Sequence, residues 1–478
     1  MLAGILFITD AQQVTEQTGD VLSQEPTIMD SVTMNQNPVE LDCNKGSSDS
    51  IIIDTTGNQL LLNESELTFD ESSLGEVKDK KGSFASFFRS YIVEPARVTL
   101  KHAVSYKVEK PNRVRNNRSS VRLEYSKFFL NNFFLQFDSR INAYWMNDHR
   151  LRKSDDVVQF KSGLREAYLQ VSFGKTSLKT GYQILIWGES DGGVITDVIS
   201  PRDYSELFFI SLEESRIGQP MFTLDQYTSI GDWCVFFIPF PAYNEYPEVG
   251  TKYYYDAFNG NVEYQYETRD KNSVEYGMRW KKTFGKSDIC LMTASLMNNE
   301  YTYEMKSSDL VTKNKMRYYL VGMTSNYAWG SLLFKGEIGI KSHRAYNNSV
   351  LQIVKKNSVD ASVGFDYSPG RNFVVNFETV NNRILKWSKN IQSAPKNLYS
   401  VILVLNDKFI NDNLNVSLMT TYSEPYTSVL SILTTSYKWN DHLILELDGY
   451  YPYTNNSKSN YWLFKDEKQI AFKIQYQF

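Results

Sequence analysis

Residues 469–478 read QIAFKIQYQF, and their alternation decides the fold. One face carries Ile470, Phe472, Ile474, Tyr476 and Phe478, and the other carries Gln469, Ala471, Lys473, Gln475 and Gln477. A helix brings its apolar face round every ~3.6 residues and a strand every second residue, so this stretch is a strand with one apolar and one polar face. The same period runs through 133–143, where Phe133, Leu135, Phe137, Ile141 and Ala143 oppose Gln136, Asp138, Arg140 and Asn142. Charges in mid-strand on one face only are what a strand shows when one side meets lipid and the other lines water.

Composition agrees. Aromatic residues make up 14% of the 478, with 32 Tyr and 28 Phe, yet the mean hydropathy of −0.40 is too polar for a bundle of membrane helices. No run approaches the ~18 apolar residues of a spanning helix. A barrel strand shows lipid only every second residue, so its hydrophobicity averages out along the chain. The expected fold is therefore all-β, a closed antiparallel transmembrane barrel over 97–478. The count comes to about 18 strands, with 16 as the alternative. The fifth strand is expected over 176–187 and the sixth over 217–228. Short turns at Asn131, Gly174–Lys175, Gly285, Trp329 and Gly370 alternate with long loops at 146–161, 188–216, 241–271, 300–315 and 451–466. That alternation is the mark of outer-membrane barrels, and an even count puts both chain ends on the short-turn side.

The part before the barrel differs in charge. Residues 1–82 hold 15 acids and 4 bases, a net −11, which leaves 40 acids and 47 bases, a net +7, for 83–478. Residues 1–11, MLAGILFITDA, read as the apolar part of a secretion signal without its positively charged start. Residues 12–82 read as an acidic disordered segment, since they bury too little to offset ordering entropy. Residues 83–96 read as a short helix or plug against the inner mouth. The scattered bases give no nucleic-acid signature. Three cysteines, Cys43, Cys234 and Cys290, form no disulfide framework, because the strands of Cys234 and Cys290 fall two apart.

Chemistry-bearing motifs are sparse. Four histidines, at 102, 149, 343 and 442, are too dispersed for a metal site, and no hydrolase, phosphate-loop or paired-cysteine spacing occurs, so no enzyme, cofactor or metal is expected. The densest polar stretch runs from Arg165 to Tyr204: REAYLQV, then GYQILIWGESDGG, then DVISPRDY. Alternation sends Tyr182, Ile184 and Ile186 toward lipid and Lys179, Gln183, Leu185 and Trp187 toward the lumen. A loop of this length is usually functional or disordered. Arg165 and Glu166 are neighbours, so on an unbroken strand one of them would face lipid, at roughly 2–4 kcal/mol near the midplane. The candidate constriction or substrate-contact residues are thus Arg165, Glu166, Gln183, Trp187, Glu189, Asp191, Arg202, Asp203 and Tyr204. The loop is expected inside the lumen, held by Arg165 or Arg202 pairing with Glu166, Glu189, Asp191 and Asp203. A salt-bridged pin and a substrate-contacting constriction both fit. A calcium site fits less well, since ESDGG lacks the alternating ligand pattern of a calcium loop.

This stretch resembles a family of Gram-negative outer-membrane barrels marked by Arg-Glu-Ala-Tyr, a Gly-x-Gln strand running into Trp-Gly-x-x-Asp-Gly, and a following Pro-Arg-Asp. The matching residues are Arg165, Glu166, Ala167, Tyr168, Gly181, Gln183, Trp187, Gly188, Asp191, Gly192, Pro201, Arg202 and Asp203, while Tyr182 and Ser200 depart from the pattern. The terminal Phe478 is similar to the signal by which such barrels are recognised for insertion. The resemblance implies the bacterial outer membrane and a link to export of hydrophobic or lipid-like compounds. The implied partners are outer-membrane lipid, small-molecule cargo, and periplasmic or inner-membrane export components.

Two further expectations concern the lumen and a tyrosine-rich loop. Arg122, Glu124, Asp138, Arg140, Glu275, Arg279, Lys335, Glu337, Asp360, Asp366, Glu446, Asp448 and Lys473 fall on the inward parity, a mixed set that implies no strong ion selectivity. The tyrosines of 241–270 are expected as a girdle or as strand extensions above it. A channel or exporter component for small amphipathic or hydrophobic molecules, an adhesin or structural barrel, and a less favoured outer-membrane hydrolase all remain open at this point.

Overall fold

The computed structural model describes residues 94–478 except 130–131, 152–156, 191, 207–208, 210–211, 255–261, 267–272, 392–393 and 460, and earlier only 52–53, 59–60, 89 and 91. The readings of residues 1–11 and 12–82 lie almost wholly outside the described residues. Eighteen strands form one closed barrel. The first seven are β1 (Ala96–Lys107), β2 (Arg113–Phe129), β3 (Phe133–Trp145), β4 (Val158–Phe173), β5 (Thr176–Gln183), β6 (Gln219–Gln226) and β7 (Asp232–Ile238). Next come β8 (Glu275–Phe284), β9 (Ser287–Met297), β10 (Arg317–Trp329), β11 (Leu332–Asn347), β12 (Ile353–Tyr367) and β13 (Val374–Ile384). The last are β14 (Asn397–Phe409), β15 (Leu414–Glu424), β16 (Ser428–Lys438), β17 (Leu443–Thr454) and β18 (Gln469–Gln477). Each pairs antiparallel with its chain neighbours, and β18 closes the ring on β1 with Ile474 opposite His102.

The alternation read from the sequence is the wall of this barrel. On β10, Tyr318 and Leu320 are buried while Tyr319, Val321 and Met323 stand exposed. On β18, Ile470, Phe472, Ile474 and Tyr476 are exposed and Ala471 and Lys473 are buried. Outward side chains of this kind on every side give an apolar belt. A ring closed on itself leaves no strand at the edge, which is how β-structure crosses a bilayer. The chain is an outer-membrane β-barrel.

Inside, the charges expected on the inward parity pair across strands. Arg122 on β2 is bidentate to Asp138 on β3 at 2.9 and 2.7 Å. Lys335 meets Asp366 at 2.8 Å, Lys341 meets Asp360 at 2.6 Å, and Lys473 meets both Glu446 and Asp448 at 2.5 Å. Cys234 and Cys290 are buried on β7 and β9, separated by β8. Among the tyrosines of 241–270, Tyr264 and Tyr266 sit on a short loop strand (Glu263–Tyr266) paired with Leu310–Asn314, above the belt. Tyr253 instead turns inward and accepts a hydrogen bond from Gln469 at 2.7 Å.

Two expectations change. The described part of 83–96 lies against the outside of the wall, not in the inner mouth: the Tyr125 hydroxyl donates to the Tyr91 carbonyl at 2.8 Å, and Lys127 stands 4.6 Å from the Tyr91 ring. Tyr125 and Lys127 share the parity of the exposed Val121 and Leu123, opposite to Arg122 and Glu124. The second change is that β5 stops at Gln183 instead of running to 187. Ile184, expected toward lipid, is buried, because its N–H turns to the Glu166 carboxylate at 3.2 Å instead of continuing the ladder.

Candidate functional site in the lumen

Residues 184–218 leave β5 and cross the barrel. Gly192 packs so tightly on Ile402 of β14 that a Cβ would lie 2.1 Å from its Cδ1. In the order of strands β14 lies opposite β5, so the loop spans the lumen from wall to wall. Its start is fixed by Gln183, which donates to the Met221 carbonyl at 2.7 Å and accepts from Thr223 at 2.9 Å. Ser200 clips the two arms together, accepting from the Leu185 N–H at 2.9 Å and donating to the Leu185 carbonyl at 3.2 Å.

The loop's apolar side packs on an apolar inner wall. Trp187, 1% exposed, meets Phe236 edge-on at 5.1 Å, among Ile199, Met221, Met292 and Leu320. The inner faces of β6, β7, β9 and β10 are therefore a packing surface for the loop. Burial of this kind contributes roughly 1.5–3 kcal/mol for each large side chain, enough to hold the loop in place.

Its polar side is held by two acids of the far wall. Glu337 on β11 accepts the N–H groups of Glu189 and Ser190, each at 3.0 Å, and both donors of Thr196 at 2.6 Å. Glu378 on β13 accepts the Gly192 N–H at 2.7 Å and the Ser190 hydroxyl. Glu189 itself accepts from Asn326 on β10 at 2.9 Å.

The expected pairings are corrected by this geometry. Arg202 pairs with Asp197 at 2.6 Å, and Arg216 joins the same carboxylate at 3.0 Å. Burial alone would raise the Asp197 carboxyl, but Arg216 and Arg202 outweigh it and hold it below its ordinary range. Arg165 lies 3.6 Å from Asp138. Glu166 takes the Ile184 N–H, and Asp203 takes the Ser205 N–H at 2.8 Å. Asp203 is pushed up by burial and then by Glu245 and Glu206. Tyr204 is buried with its ring 6.0 Å from Tyr246. Asp191 lies outside the described residues. Arg165 and Glu166 escape the conflict of opposite faces through a β-bulge: Asp138 opposes Glu166 and Ser139 opposes Leu164, which leaves Arg165 as the extra residue, so that both side chains turn inward.

Ile195 and Tyr204 of the loop also belong to an apolar cluster with Val380, Ile402 and Leu430 of β13, β14 and β16, so the loop packs on both sides of the lumen and leaves only part of it open. A cavity of about 450 Å³ lies between the loop and the wall formed by β18 and β1–β4. Seven basic residues line it against four acids, among them Lys101, Arg118, Arg140 and Lys473. This excess departs from the expectation of no strong ion selectivity. Glu214, on the short helix Leu212–Ser215, reaches from the loop to Arg140 at 2.9 Å and Lys101 at 3.6 Å. Lys101, then Arg140, Arg165 and Arg122, hold its carboxyl well below the usual range against the effect of burial. Glu206 accepts from Arg118, from His149 at 3.0 Å and from Arg150 at 3.2 Å. Sequence reading missed Glu214 and Glu206, because nothing in their spacing shows that they meet β1–β3.

No family model and no curated protein matches the sequence. Among solved structures the chain is similar to OccAB3 of Acinetobacter baumannii, at 10% identity and a TM-score of 0.47, covering 80% of this chain and 98% of that one. It is similar also to OpdL of Pseudomonas aeruginosa, at 9% identity and 0.47, with coverage of 80% and 98%. OmpF of Salmonella typhi, in complex with daunomycin, follows at 10% identity and 0.40, with coverage of 80% and 97%.

Proposed function

We propose that the chain is an outer-membrane channel for small amphipathic molecules, narrowed by residues 184–218. The observation that carries this reading is the cavity of about 450 Å³, lined by charged side chains, that stays open between the loop and the wall along β18 and β1–β4. Barrels of about 16–18 strands leave room for an aqueous channel, and a charged lining suits one. Arg165, Asp203 and Arg216 border the cavity, while Trp187, Gln183 and Glu189 act behind them by fixing the loop. The resemblance carried by 165–203 favours cargo with an apolar part, delivered by or to export components on the periplasmic side.

The test is reconstitution of the purified barrel in planar bilayers, with single-channel current recorded in KCl. Discrete conductance steps are expected. A folded, inserted barrel with no conductance would overturn the channel and favour an adhesive or structural role.

A further inference from the structure

The wall is not of even height. Strands β5, β6 and β7 have 8, 8 and 7 residues, beside 16 for β4. A tilted strand needs about 9–11 residues to cross the bilayer core. β4 pairs with β5 only from Ala167 to Phe173, so Val158 to Leu164 run past the end of that pairing, while Gly218 packs on the Arg165 carbonyl. The stretch lies within the belt: its Phe160 and Leu164 are exposed outward on either side of Ser162, which stands opposite the exposed Ile141 of β3. Backbone without partners does not face lipid, and it is tolerated at membrane depth only where it is covered by protein or lines a water-filled cavity.

The cavity meets that requirement. Its lining runs from Lys101, Arg140 and Lys473 in the lumen to Gly163, Leu164 and Tyr182 beside the β4 edge. Leu164 and Tyr182 belong to the outward parity, so the cavity reaches the wall above the end of β5. Its inner lining holds more basic than acidic side chains, and its outer rim is apolar.

We propose that this gap is a lateral port, through which an anionic amphiphile passes between the lumen and the long-loop-side leaflet of the membrane. The head group rests among the lumen cations while the tail leaves between Leu164 and Tyr182. This rests on the channel reading above and adds a route and a cargo class to it.

Gly163 offers the test, because it lines the cavity and a Cβ built on it meets nothing within 4 Å, so a side chain there starts from open space. Wild type and Gly163→Trp are reconstituted in planar bilayers, and block of the KCl current is measured with octyl sulfate and with methyl sulfate, which shares the head group but has no tail. Octyl sulfate is expected to block wild type at lower concentration than methyl sulfate. In Gly163→Trp its half-blocking concentration should rise about tenfold relative to that of methyl sulfate. Ser162→Trp, on the outer face of the same edge, should move octyl sulfate in the same direction, and it serves if Gly163→Trp does not insert. Wild type that conducts but shows no preference for octyl sulfate overturns the port. So do variants that shift both blockers equally, or neither. Absence of current in wild type instead removes the channel reading, so the two failures are distinguishable.

Discussion

Thr196 presents its backbone N–H and its hydroxyl to the same oxygen of Glu337, each at 2.6 Å. The other oxygen of that carboxylate receives Glu189 and Ser190, so one buried side chain on β11 folds the tip of the loop around itself. A carboxyl group that accepts four hydrogen bonds is a directional anchor, because its two oxygens fix where the donors of the loop must lie. Glu378 repeats the device two strands away.

Glu337→Gln should therefore loosen the loop. The amide replaces an acceptor oxygen with a donor facing the N–H groups of the loop, at a cost on the order of 2 kcal/mol for the broken set. Thermal or urea unfolding of the purified barrel should show the loss, and single-channel records should show increased open-state noise. Records as quiet as wild type would mean that the apolar packing around Trp187 fixes the loop without the acid.

Glu214 gives a prediction about charge. It occupies the cations Lys101 and Arg140 on the edge of the open cavity, so Glu214→Gln raises the local cation excess by one. In a KCl gradient the reversal potential should move toward anion selectivity, and Arg140→Gln should move it the other way. Reversal potentials that stay together in all three proteins would place the ion path elsewhere.

The acid response follows from the same groups. Asp197, Glu206 and Glu214 are each held below the ordinary carboxyl range in the folded protein, Asp197 by Arg216 and Arg202, Glu206 by Arg118 and His149, and Glu214 chiefly by Lys101. A depressed folded value contributes stability that is fully present above the unfolded pKa of about 4 and is lost as pH falls through the folded value. The stability that these three carboxylates contribute should accordingly persist in the mildly acidic range and be lost only once the bath falls below about pH 4, as unfolding of wild type compared with Glu214→Gln across that range would read for Glu214. A stability difference between the two proteins that vanishes already in mildly acidic solution would overturn the assignment.

How far all this was legible in sequence depends on which part of the chain carries the signal. Strand faces are written in side chains, so the alternation in 469–478 and 133–143 reads directly as wall, and Glu337 was legible as an inward acid. The loop's anchors are backbone N–H groups of Glu189, Ser190, Gly192 and Thr196, which every residue but proline possesses, so no motif marks them. The bulge at Arg165 was hidden for a related reason. Unbroken alternation puts Arg165 and Glu166 on opposite faces, and only the register with Asp138 and Ser139 shows one extra residue on β4. The early end of β5 follows from a single acceptor, Glu166, that takes the next N–H away from the ladder.

Deleting residues 191–200 should widen the pathway, but at a cost that can be separated from it. The deletion removes the Gly192 bond to Glu378 and both Thr196 bonds to Glu337, which leaves only the Glu189 and Ser190 contacts to hold the shortened loop on the far wall. It also removes Asp197, which leaves Arg202 and Arg216 buried without their shared carboxylate. Stranding a buried charge in this way costs about 3–5 kcal/mol. The deletion alone should raise conductance and admit dye-sized solutes while lowering the unfolding temperature. Adding Arg202→Gln and Arg216→Gln should recover part of that stability with the larger conductance retained. If the deletion protein inserts normally and its conductance equals that of wild type, the loop is not the constriction, and 165–204 is a structural strut.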